Sequence, residues 1–571
     1  MLSKNQIIEV NIESISSEGS GVAKSDEGMT LFIPDTAVGD RIKAKVLKVK
    51  KTHGFAKVEE IITPSPDRIT PMCGVSRQCG GCVYSHITYE AELKAKEKRV
   101  QDALHRIGGI DPLMRPIVGA ESPEGYRNKA QIPVGIDAEG NVRMGFFSRH
   151  SHRIVECDNC MLEPRCFHEA SRVLREYVKK YGASVYDEVN HKGLLRHLYL
   201  RFGEKTGELM ICVVVNGGGL PFEKELCEMF LSALPETKTI LINSNKEKTN
   251  VVLGKDFRML FGSGTITDEL CSLKFTLSPQ SFYQVNRNQA EVLYSIAKKY
   301  AELKGSDTLL DLYCGTGTIG LSMADSCNSL IGVEIVPEAI ENAKNNAEAN
   351  GVTNARFIAA DAAEAAKRLE KEGIAPDVVI LDPPRKGCQQ ELLQTVSDMS
   401  PTRVVYVSCD AATLARDLKI FEELGYITEE VTPVDMFPRT AHVESVARLS
   451  RQNNVHKMKL NAVPFEMIKS GEKTIELRLY DEKRQQIKEG DVITFTNTSN
   501  GERMRVTVKK LHRFDSFEAL YKTLPLLQCG YTAEDIDTAH PSDMEQYYSA
   551  DEQKKYGVVG IEVFLSKQFT D

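Results

Sequence analysis

The sequence predicts a multidomain α/β protein with a doubly wound, Rossmann-like domain, a small β-barrel before it, a central α+β region and a second small β-barrel at the C-terminal end. The chain has 571 residues, which is too long for one hydrophobic core. From about Asp307, apolar strands alternate with helical segments, which is the pattern of a parallel sheet covered by helices. The first sixty residues and the segment after the polar break at Ser450 carry only short strand-like runs.

Residues 1–62 are predicted to form the first barrel. Five short β-branched runs are separated by Gly, Asp or Asn: Ile7–Ile12, Gly21–Ala23, Met29–Ile33, Arg41–Val49 and Phe55–Glu59. Such strands are typical of an oligonucleotide-binding barrel, and the sequence here resembles a TRAM domain, a small RNA-binding barrel. The lysines of the stretch 41–51 are compatible with RNA binding and equally with a solvated sheet edge that resists aggregation.

Residues 63–270 are predicted to be the central α+β region. The segment 64–71 is a proline-containing linker, and the apolar positions of 91–107 predict a helix. This helix contains the basic stretch Leu93–Arg99, a local exception to the formal net charge of -8. Runs such as LRHLYLRF and LMICVVVN predict strands further on.

Residues 271–450 are predicted to form the Rossmann-like domain, and its glycine-rich loop indicates a nucleotide-like cofactor. The loop Asp311–Gly320 follows an apolar strand and opens a helix, so its glycines allow a tight turn and a close approach to a ligand. Glu334 ends the next strand, 19 positions after Gly315, where a carboxylate can accept from ribose hydroxyls. The form D-x-x-C-G-x-G is similar to the first motif of methyltransferases that bind S-adenosylmethionine.

Three later segments carry reactive side chains next to strand-like runs. LDPPR places Asp382 after one strand, VSCD places Cys409 after the next, and TAHVE brings Glu444 to a third. In an open α/β sheet the carboxyl ends of the strands face the ligand crevice, so we expect these residues to converge there.

In this order, the motifs resemble those of the uracil-5-methyltransferases of transfer and ribosomal RNA. The resemblance covers about residues 1–450 and rests on SPQSFYQVN, DLYCGTG, LDPPRKG, VSCD and TAHVE. It implies that S-adenosylmethionine is bound by four residues, Gln284, Tyr313, Glu334 and Asp382. It further implies that Cys409 is the nucleophile and Glu444 the proton-abstracting base.

The chemistry of uracil explains why such an enzyme needs a thiol and a base. Carbon 5 of uracil is too weak a nucleophile to attack a sulfonium methyl group directly. A thiolate that adds to carbon 6 turns the ring into an enolate whose carbon 5 can attack, and a base then removes the carbon-5 proton so that the thiolate leaves. Because a free thiol is only a few per cent ionised near neutrality, we expect a dipole or a cation beside Cys409. The uracil must leave its stack to be reached, and Asp382 could also approach it.

A cluster of cysteines in the central region predicts a metal centre. Cys73, Cys79 and Cys82 share one short loop, with Cys160 as the expected fourth ligand and Cys157 and Cys166 as its rivals. Three close thiolates and one distant thiolate suit a [4Fe-4S] cluster better than zinc, which prefers two CxxC pairs. The ribosomal branch of the family resembles this arrangement. The remaining cysteines outside the active site are expected to be buried packing residues.

The C-terminal segment, residues 456–571, lies beyond that resemblance. The pattern F-x-x-I-x-S-G-x-K-T-x-E-x-R resembles an ASCH domain, a small barrel related to the RNA-binding PUA fold. Its polar residues are Lys473, Thr474, Glu476 and Arg478. We expect an auxiliary RNA-binding domain, and the alternative is that these charged side chains only form an exposed strand face.

Composition and motifs together predict a monomeric cytoplasmic RNA methyltransferase. No apolar run approaches the roughly 18 residues of a membrane span, and a hydrophobic content of 42% is ordinary for a globular protein. The cysteine cluster and the TRAM-like barrel favour 23S ribosomal RNA, free or in an assembly intermediate, as the substrate. The alternatives are a transfer RNA uracil-5-methyltransferase, a base N-methyltransferase with its own D-P-P loop, and a non-catalytic RNA-binding adaptor.

Overall fold

The chain divides into two compact units. The computed structural model describes residues 2–137, 139–149, 151–452 and 455–565. The first unit contains residues 1–424 and 428–449, and the second contains residues 425–427 and 450–571. Met1 of the predicted first barrel and residues 566–571 of the predicted last one lie outside the described residues. In the described part of the chain, no helix is long and apolar enough to cross a membrane.

The first unit begins with a six-stranded, barrel-like sheet. Its strands are β1 (Ile7–Asn11), β2 (Ser14–Ile15), β3 (Gly21–Lys24), β4 (Thr30–Ile33), β5 (Arg41–Val49) and β6 (His53–Thr63). They lie in the order β1-β5-β6-β4-β3-β2. Because successive strand side chains point to opposite faces, alternate residues such as Leu31, Ile42 and Val46 fill the core. The predicted barrel is confirmed, with β2 added to the five predicted strands.

The helix after this sheet packs onto the Rossmann-like domain. Helix α1 (Tyr89–Ala103) is capped by the side chain of Thr88 and continues into one π-helical turn, Leu104–Gly108. Strand β7 (Leu113–Met114) then pairs in parallel with β22 (Tyr426–Val434). Residues that the sequence pattern placed with the central region therefore extend the catalytic sheet.

The central region is a seven-stranded sheet with two helices. Its strands are β8 (Lys129–Ile136), β9 (Val142–Phe147), β10 (Ile154–Glu156), β11 (Leu195–Phe202), β12 (Leu209–Val215), β13 (Thr237–Ser244) and β14 (Asp256–Phe261). They lie in the order β10-β9-β8-β11-β12-β13-β14. Helices α2 (Arg165–Tyr181) and α3 (Glu223–Ala233) contribute Phe167 and Phe230 to its core.

The Rossmann-like domain follows a two-stranded hairpin. The hairpin is formed by β15 (Ile266–Leu270) and β16 (Leu273–Leu277), so the predicted boundary at 270/271 falls in its turn, where Cys271 and Ser272 have positive φ angles. The parallel strands are β17 (Thr308–Leu312), β18 (Ser329–Glu334), β19 (Ala355–Ala359), β20 (Val378–Leu381) and β21 (Arg403–Ser408), and β23 (Glu444–Arg451) completes the sheet. The strand order is β19-β18-β17-β20-β21-β23-β22-β7.

Six helices accompany this sheet. They are α4 (Arg287–Ala301), α5 (Thr318–Leu321), α6 (Pro337–Ala349), α7 (Ala362–Lys371), α8 (Gln390–Asp398) and α9 (Ala411–Glu423). Strand β17 pairs with β18 on one side and β20 on the other. A change of winding direction at such a strand opens a crevice at the carboxyl ends of the strands. The predicted Rossmann-like architecture is confirmed, and it places the crevice next to the glycine-rich loop.

The second unit is a five-stranded sheet with three helices. Its elements are β24 (Val455–Leu460), α10 (Ala462–Ser470), β25 (Ile475–Leu479), β26 (Val492–Asn497), β27 (Arg503–Phe514), α11 (Phe517–Thr523), α12 (Ala550–Tyr556) and β28 (Val558–Leu565). The strands lie in the order β24-β26-β27-β28-β25. Phe465, Phe495 and Ile561 are fully buried in its core.

Candidate active site

Four of the six predicted catalytic and cofactor residues lie at one end of the catalytic sheet, which we call the carboxyl edge. Tyr313 follows β17, Glu334 ends β18, Asp382 follows β20, and Cys409 follows β21. These strands are parallel neighbours in register. Parallel strands end at the same side of a sheet, so the backbone pairing itself brings the four residues together.

The loop after β17 has the left-handed backbone that a ligand-facing turn requires. Gly315 and Gly317 have φ angles of 55° and 83°, and Tyr313 has φ 67° although it is not a glycine. A Cβ on Gly320 would lie 2.7 Å from Oδ2 of Asp311, because the Gly320 amide donates to that oxygen at 2.9 Å. The start of α5 therefore packs directly against β17. The left-handed φ of Tyr313 was not apparent from the motif, and its side chain lies beside Cys388.

Glu334 organises the opposite side of the same loop. Its carboxylate accepts from the amide of Gly315 at 3.2 Å and from the amide of Val336 at 3.0 Å. It is only half-buried, so oxygen lone pairs remain for a ligand. Ile335 beside it is 63% exposed and offers an apolar surface to a flat ring. The sequence analysis identified the acid and missed this apolar neighbour.

Asp311 is a buried carboxyl group that sequence reasoning quoted but gave no role. It is 1% exposed in the middle of β17, and its Oδ1 has no hydrogen-bond partner among the described residues. Burial, together with the nearby charge of Asp382, raises the pKa of Asp311 to about 8. An acidic residue within the apolar run TLLDLY was the available signal, since carboxylates are almost never buried unless they are paired or used.

Cys409 and Glu444 interact electrostatically at the carboxyl edge. Burial raises the pKa of Cys409 to about 11, with further contributions from Glu444 and Asp382. Burial also raises the pKa of Glu444 to about 8, and Asp382 adds to this shift. Glu444 is 5% exposed and is the first residue of β23, next to β21. The structure thus brings the predicted nucleophile, the predicted base and Asp382 into one interacting group, in which Glu444 is buried and Cys409 and Asp382 are half-buried.

Arg385 supplies the cation that the thiol requires. Its charge lowers the pKa of both Cys409 and Glu444 against the effect of burial. Its Nη2 donates to Nε2 of His442 at 3.3 Å, which leaves the proton of a neutral imidazole on Nδ1. Burial, Arg385 and Arg99 lower the pKa of His442. Sequence reasoning expected a cation here but did not name Arg385, although it stands in the D-P-P-R motif.

Cys409 also precedes the N-terminus of α9. Asp410 caps this helix by accepting from the amides of Ala412 and Thr413 at 3.0 and 2.9 Å. The positive end of a helix dipole favours an anion within its first turn, so α9 adds a second contribution that favours the thiolate.

Gln284 lies in the loop before α4 and does not directly follow a strand. Its backbone carbonyl accepts from Nδ2 of Asn128 at 2.8 Å. Two residues later, Asn286 caps α4 and donates from Nδ2 to the carbonyl oxygen of Met436 at 3.2 Å. The loop is therefore tied both to the central region and to the segment that leads to Glu444.

A buried ion-pair network in α1 holds the catalytic loop 435–443. Lys96 is fully buried, and its Nζ donates to Glu92 and to Asp435, each at 2.7 Å. The same Nζ donates to the carbonyl oxygen of Phe437 at 3.1 Å. Lys96 belongs to the basic stretch 93–99 and is nevertheless buried, because one face of the helix packs against the loop 435–443.

Two arginines extend this network towards the active site. The amide of Arg439 donates to Glu92 at 2.6 Å, and Arg439 has a left-handed φ of 69°. Arg99 of α1 donates from Nη1 to the carbonyl oxygen of Ala441 at 2.6 Å. Helix α1 therefore holds the backbone on both sides of residue 440. The contact nearest to Glu444, at Ala441, is three residues before it in the sequence.

Five cysteines line one cavity between the loop 73–82 and the start of α2. The cavity has a volume of about 300 Å³ and is lined by Cys73, Cys79, Cys82, Cys157 and Cys160. The rival ligand Cys166 does not line it and instead packs into the core of the central region. We call this space the thiol cavity. It contains all four predicted cluster ligands and one of the two rivals.

The thiols of this cavity influence one another. Burial raises the pKa of Cys82 to about 12, with contributions from Cys160 and Cys79. A hydrogen bond with Cys157, together with burial, raises the pKa of Cys160. Across the described residues, however, no three Cys, His, Asp or Glu side chains are grouped closely enough to hold a metal ion. The four predicted cluster ligands therefore line one cavity, but their side chains are not grouped closely enough to hold a metal ion.

The second unit contains a buried carboxylate between two cations. Glu476, 4% exposed on β25, pairs with Lys473 at 2.9 Å and with Arg478 at 2.8 Å. The guanidinium of Arg478 also donates to the hydroxyl of Tyr548 at 3.2 Å. The ASCH-like motif therefore folds into a single ion-pair network rather than a freely exposed strand face.

Comparison with known families assigns three segments of the chain. The profile described as tRNA (uracil-5-)-methyltransferase matches residues 88–452. A TRAM domain matches residues 3–58 and an ASCH domain matches residues 458–566.

Similar proteins carry methyltransferase names. A protein of Halalkalibacterium halodurans named as an uncharacterized RNA methyltransferase is 47% identical over 453 residues, covering 79% of this chain and 98% of the relative. A protein of the same description from Clostridium acetobutylicum is 42% identical over 78% of this chain and 98% of its own length. The crystal structure of the Pyrococcus abyssi tRNA (uracil-54, C5)-methyltransferase with S-adenosyl-L-homocysteine is 29% identical, with a TM-score of 0.62 over 77% of this chain and 100% of that one.

Proposed function

The chain belongs to the tRNA (uracil-5-)-methyltransferase family, and on that basis we propose that it methylates carbon 5 of a uridine in 23S ribosomal RNA. The observation that supports this most is the interacting group at the carboxyl edge, where a thiol, two carboxyl groups and the exposed guanidinium of Arg385 lie beside the glycine-rich loop. S-Adenosylmethionine supplies an electrophilic methyl group when it is bound. Tyr313, Glu334, Asp382 and Gln284 are the residues that would hold it.

Three residues of this group have a defined task in this reaction. The thiolate of Cys409 adds to carbon 6 of the uracil, and the electrons of the 5,6 double bond move towards the ring carbonyl as an enolate. Arg385 stabilises the negative charge that moves from the sulfur to the ring. After carbon 5 has gained its methyl group, Glu444 removes the carbon-5 proton, the double bond re-forms, and the carbon–sulfur bond breaks to restore the Cys409 thiolate.

A trapping experiment tests the covalent mechanism. RNA with 5-fluorouracil at the target position has no carbon-5 proton to lose, so the methylated adduct cannot eliminate the enzyme. We expect a denaturant-stable complex in the presence of S-adenosylmethionine, and peptide mass spectrometry should locate the link at Cys409. A base N-methyltransferase would form no such complex and would stay active as Cys409→Ala.

The RNA class needs a separate test, because transfer RNA is the second candidate. The relative from Pyrococcus abyssi is named as a transfer RNA enzyme, whereas the TRAM domain and the thiol cavity support the ribosomal branch by resemblance. Mass spectrometry of ribosomal and transfer RNA from a strain that lacks the protein should show the loss of 5-methyluridine in 23S RNA. Loss confined to transfer RNA would refute the ribosomal assignment.

We further propose that Cys73, Cys79, Cys82 and Cys160 hold a [4Fe-4S] cluster. The donor set supports it, because all four side chains are thiols that line one cavity and thiolates are the ligands of such clusters. The cluster would join the loop 73–82 to the start of α2, and the methylation needs no electron from it. Protein purified without oxygen should contain about four irons per chain, and Cys160→Ser should lose them while Cys166→Ser keeps them. Zinc in place of iron would contradict the proposal.

The second unit is proposed to bind RNA in support of the catalytic unit. Lys473 and Arg478 carry two positive charges against the one negative charge of Glu476, so the network keeps a net positive charge that suits a phosphate. Arg478→Ala in the full chain should weaken RNA binding without changing the turnover number at saturating RNA. If the affinity for RNA is unchanged, the ASCH-like motif has only a structural role.

A further inference from the structure

The outer face of the N-terminal barrel carries three aromatic rings in mutual contact. Phe32 on β4 lies opposite Phe55 on β6 in the strand register, and their ring centroids are 5.9 Å apart. The His53 ring packs edge-on against both, with centroid distances of 5.6 and 5.3 Å. Phe55 is nevertheless 38% exposed. The rings thus form one cluster on the solvent side of the sheet.

This orientation follows from the alternation of strand side chains. Leu31 and Ala56, the neighbours of Phe32 and Phe55 in sequence, point inward and are buried in the barrel core. The core is therefore filled by other residues, and the three rings are not needed to complete it. A contiguous aromatic surface that contributes little to the core is more typical of a binding site than of packing.

Unpaired lysines surround the same rings. Lys48 lies opposite Phe55 in the register of β5 and β6, and Nζ of Lys50 is 5.5 Å from the Phe55 ring centroid. Lys48, Lys50 and Lys51 are exposed, and within the described residues none of them forms an ion pair. Arg41 and Lys43 on the same strand β5 differ, since Arg41 pairs with Glu9 and Lys43 with Glu60. Positive charge without an ion-pair partner thus lies beside the rings.

We propose that Phe32, His53 and Phe55 form a stacking platform for unpaired nucleobases of the RNA substrate, with Lys48 and Lys50 binding the adjoining phosphates. This inference rests on the proposed function and adds which part of the RNA substrate the barrel binds. Every base has a π-face that can stack on an exposed ring, and cations along the strand neutralise the backbone. A duplex hides those faces, so the platform selects single-stranded segments next to the target uridine.

The charge pattern favours RNA over a protein partner. Lysine is depleted from the centres of protein–protein interfaces, where aromatic residues are enriched. Here lysines border the rings directly, and Lys50 lies within cation–π range of Phe55. This combination of stacking surfaces and free cations matches single-stranded nucleic acid.

Binding of a fluorescent oligouridine to the full-length protein tests the platform. We expect Phe55→Ala to weaken binding about tenfold, in line with the loss of one stacked base, and Phe55→Tyr to keep it within about twofold. Ile7→Ala is the matched control, because Ile7 is 52% exposed on β1 of the same barrel and lies outside the aromatic cluster. Its affinity should equal that of the unmodified protein.

Salt dependence and kinetics separate the parts of the platform. Lys50→Ala should lower the slope of log affinity against log salt by about one, whereas Phe55→Ala should leave the slope unchanged. In methylation assays Phe55→Ala should raise KM for RNA and leave kcat unchanged, since the ring does not touch the reacting atoms. Affinity for a blunt RNA duplex should not respond to Phe55→Ala.

The outcomes distinguish the platform from the proposed function. Equal oligouridine affinity of Phe55→Ala and the unmodified protein would overturn the platform and assign the rings to a protein contact, while methylation could still proceed. If the protein binds oligouridine through Phe55 but methylates no uridine, the platform stands and the proposed function fails. Cross-linking of 5-iodouracil RNA to the peptide that contains Phe55 supports the platform without any substitution, and cross-links only elsewhere would contradict it.

Discussion

The carboxyl edge and the thiol cavity both collect residues that are distant in sequence, but they do so by different means. At the carboxyl edge, Asp382 and Cys409 follow neighbouring parallel strands whose register is set by backbone hydrogen bonds. In the thiol cavity, the cysteines lie on irregular segments, the loop 73–82 and the connection 157–160. The first set is electrostatically coupled, whereas the second is not grouped as metal ligands in the described chain. Side chains at strand ends are positioned by the backbone pairing of the sheet, whereas side chains on loops need an additional interaction to hold them together.

The largest effect should come from the nucleophile of the carboxyl edge. Cys409→Ala should reduce methylation by at least about 10⁴-fold, because a covalent route has no substitute for its attacking group. The thermal midpoint should stay close to that of the unmodified protein, since the sheet, and not the thiol, builds the site. Cys327→Ala is the control for the general loss of a buried thiol in this domain. Retained methylation in Cys409→Ala would refute the assignment.

Glu444→Gln should separate the two halves of the reaction. The amide cannot take the carbon-5 proton, so turnover should fall by roughly 10²–10⁴-fold, while the addition of Cys409 to the ring remains possible. Methylated covalent RNA–protein complex should therefore accumulate with ordinary RNA and be visible on a denaturing gel. An equally fast release of product would show that another group is the base.

Lys96→Met should show that the structure beside the carboxyl edge also depends on helix α1, through the buried ion pairs of Lys96. The substitution leaves Asp435 buried without an ion-pair partner among the described residues and leaves Glu92 with Arg439 alone, which should cost about 3–5 kcal/mol of the free energy of unfolding. Chemical denaturation measures this loss. Lys98→Met is the matched control on the same helix, because its side chain is 61% exposed, and its stability should change by less than about 0.5 kcal/mol. Equal stability of the two variants would contradict the role of α1.

The pH dependence should be the mildest of these effects. Glu444 acts as a base only when it is ionised, so with its pKa at about 8 its ionised fraction should rise close to tenfold per pH unit below pH 7 and level off above pH 8. The pH profile of kcat should contain this step in addition to the ionisation of the Cys409 thiol, whose pKa is about 11. The free energy of unfolding should change with pH in the opposite direction to kcat. The raised pKa values of Asp311, Asp382 and Glu444 mean that the folded state retains protons that the unfolded state releases, so the free energy of unfolding falls as pH rises from about 4 to 8. A kcat that is flat from pH 6 to 8 would count against Glu444 as the base.

The order of motifs predicted most of the catalytic residues because strand ends are visible in sequence. An apolar run followed by a reactive residue defines both a strand and its carboxyl end, so Asp382 and Cys409 could be placed on one edge in advance. Arg385 and Lys96 were harder. Nothing in a local pattern shows that the guanidinium of Arg385 influences Cys409, or that Lys96 is the one lysine of its helix to be buried.

By itself, the sequence determined the multidomain α/β class, the TRAM and ASCH segments, the Rossmann-like fold, the family and the residues that follow its strands. Those features depend on hydrophobic periodicity and on short motifs, which are local properties of the chain. Only the tertiary structure decided that α1 holds the catalytic loop, that Cys166 lies outside the thiol cavity, and that Phe55 faces solvent beside free lysines. These depend on which distant segments meet and on how deeply each charge is buried, and pairing and burial arise only when the chain is folded.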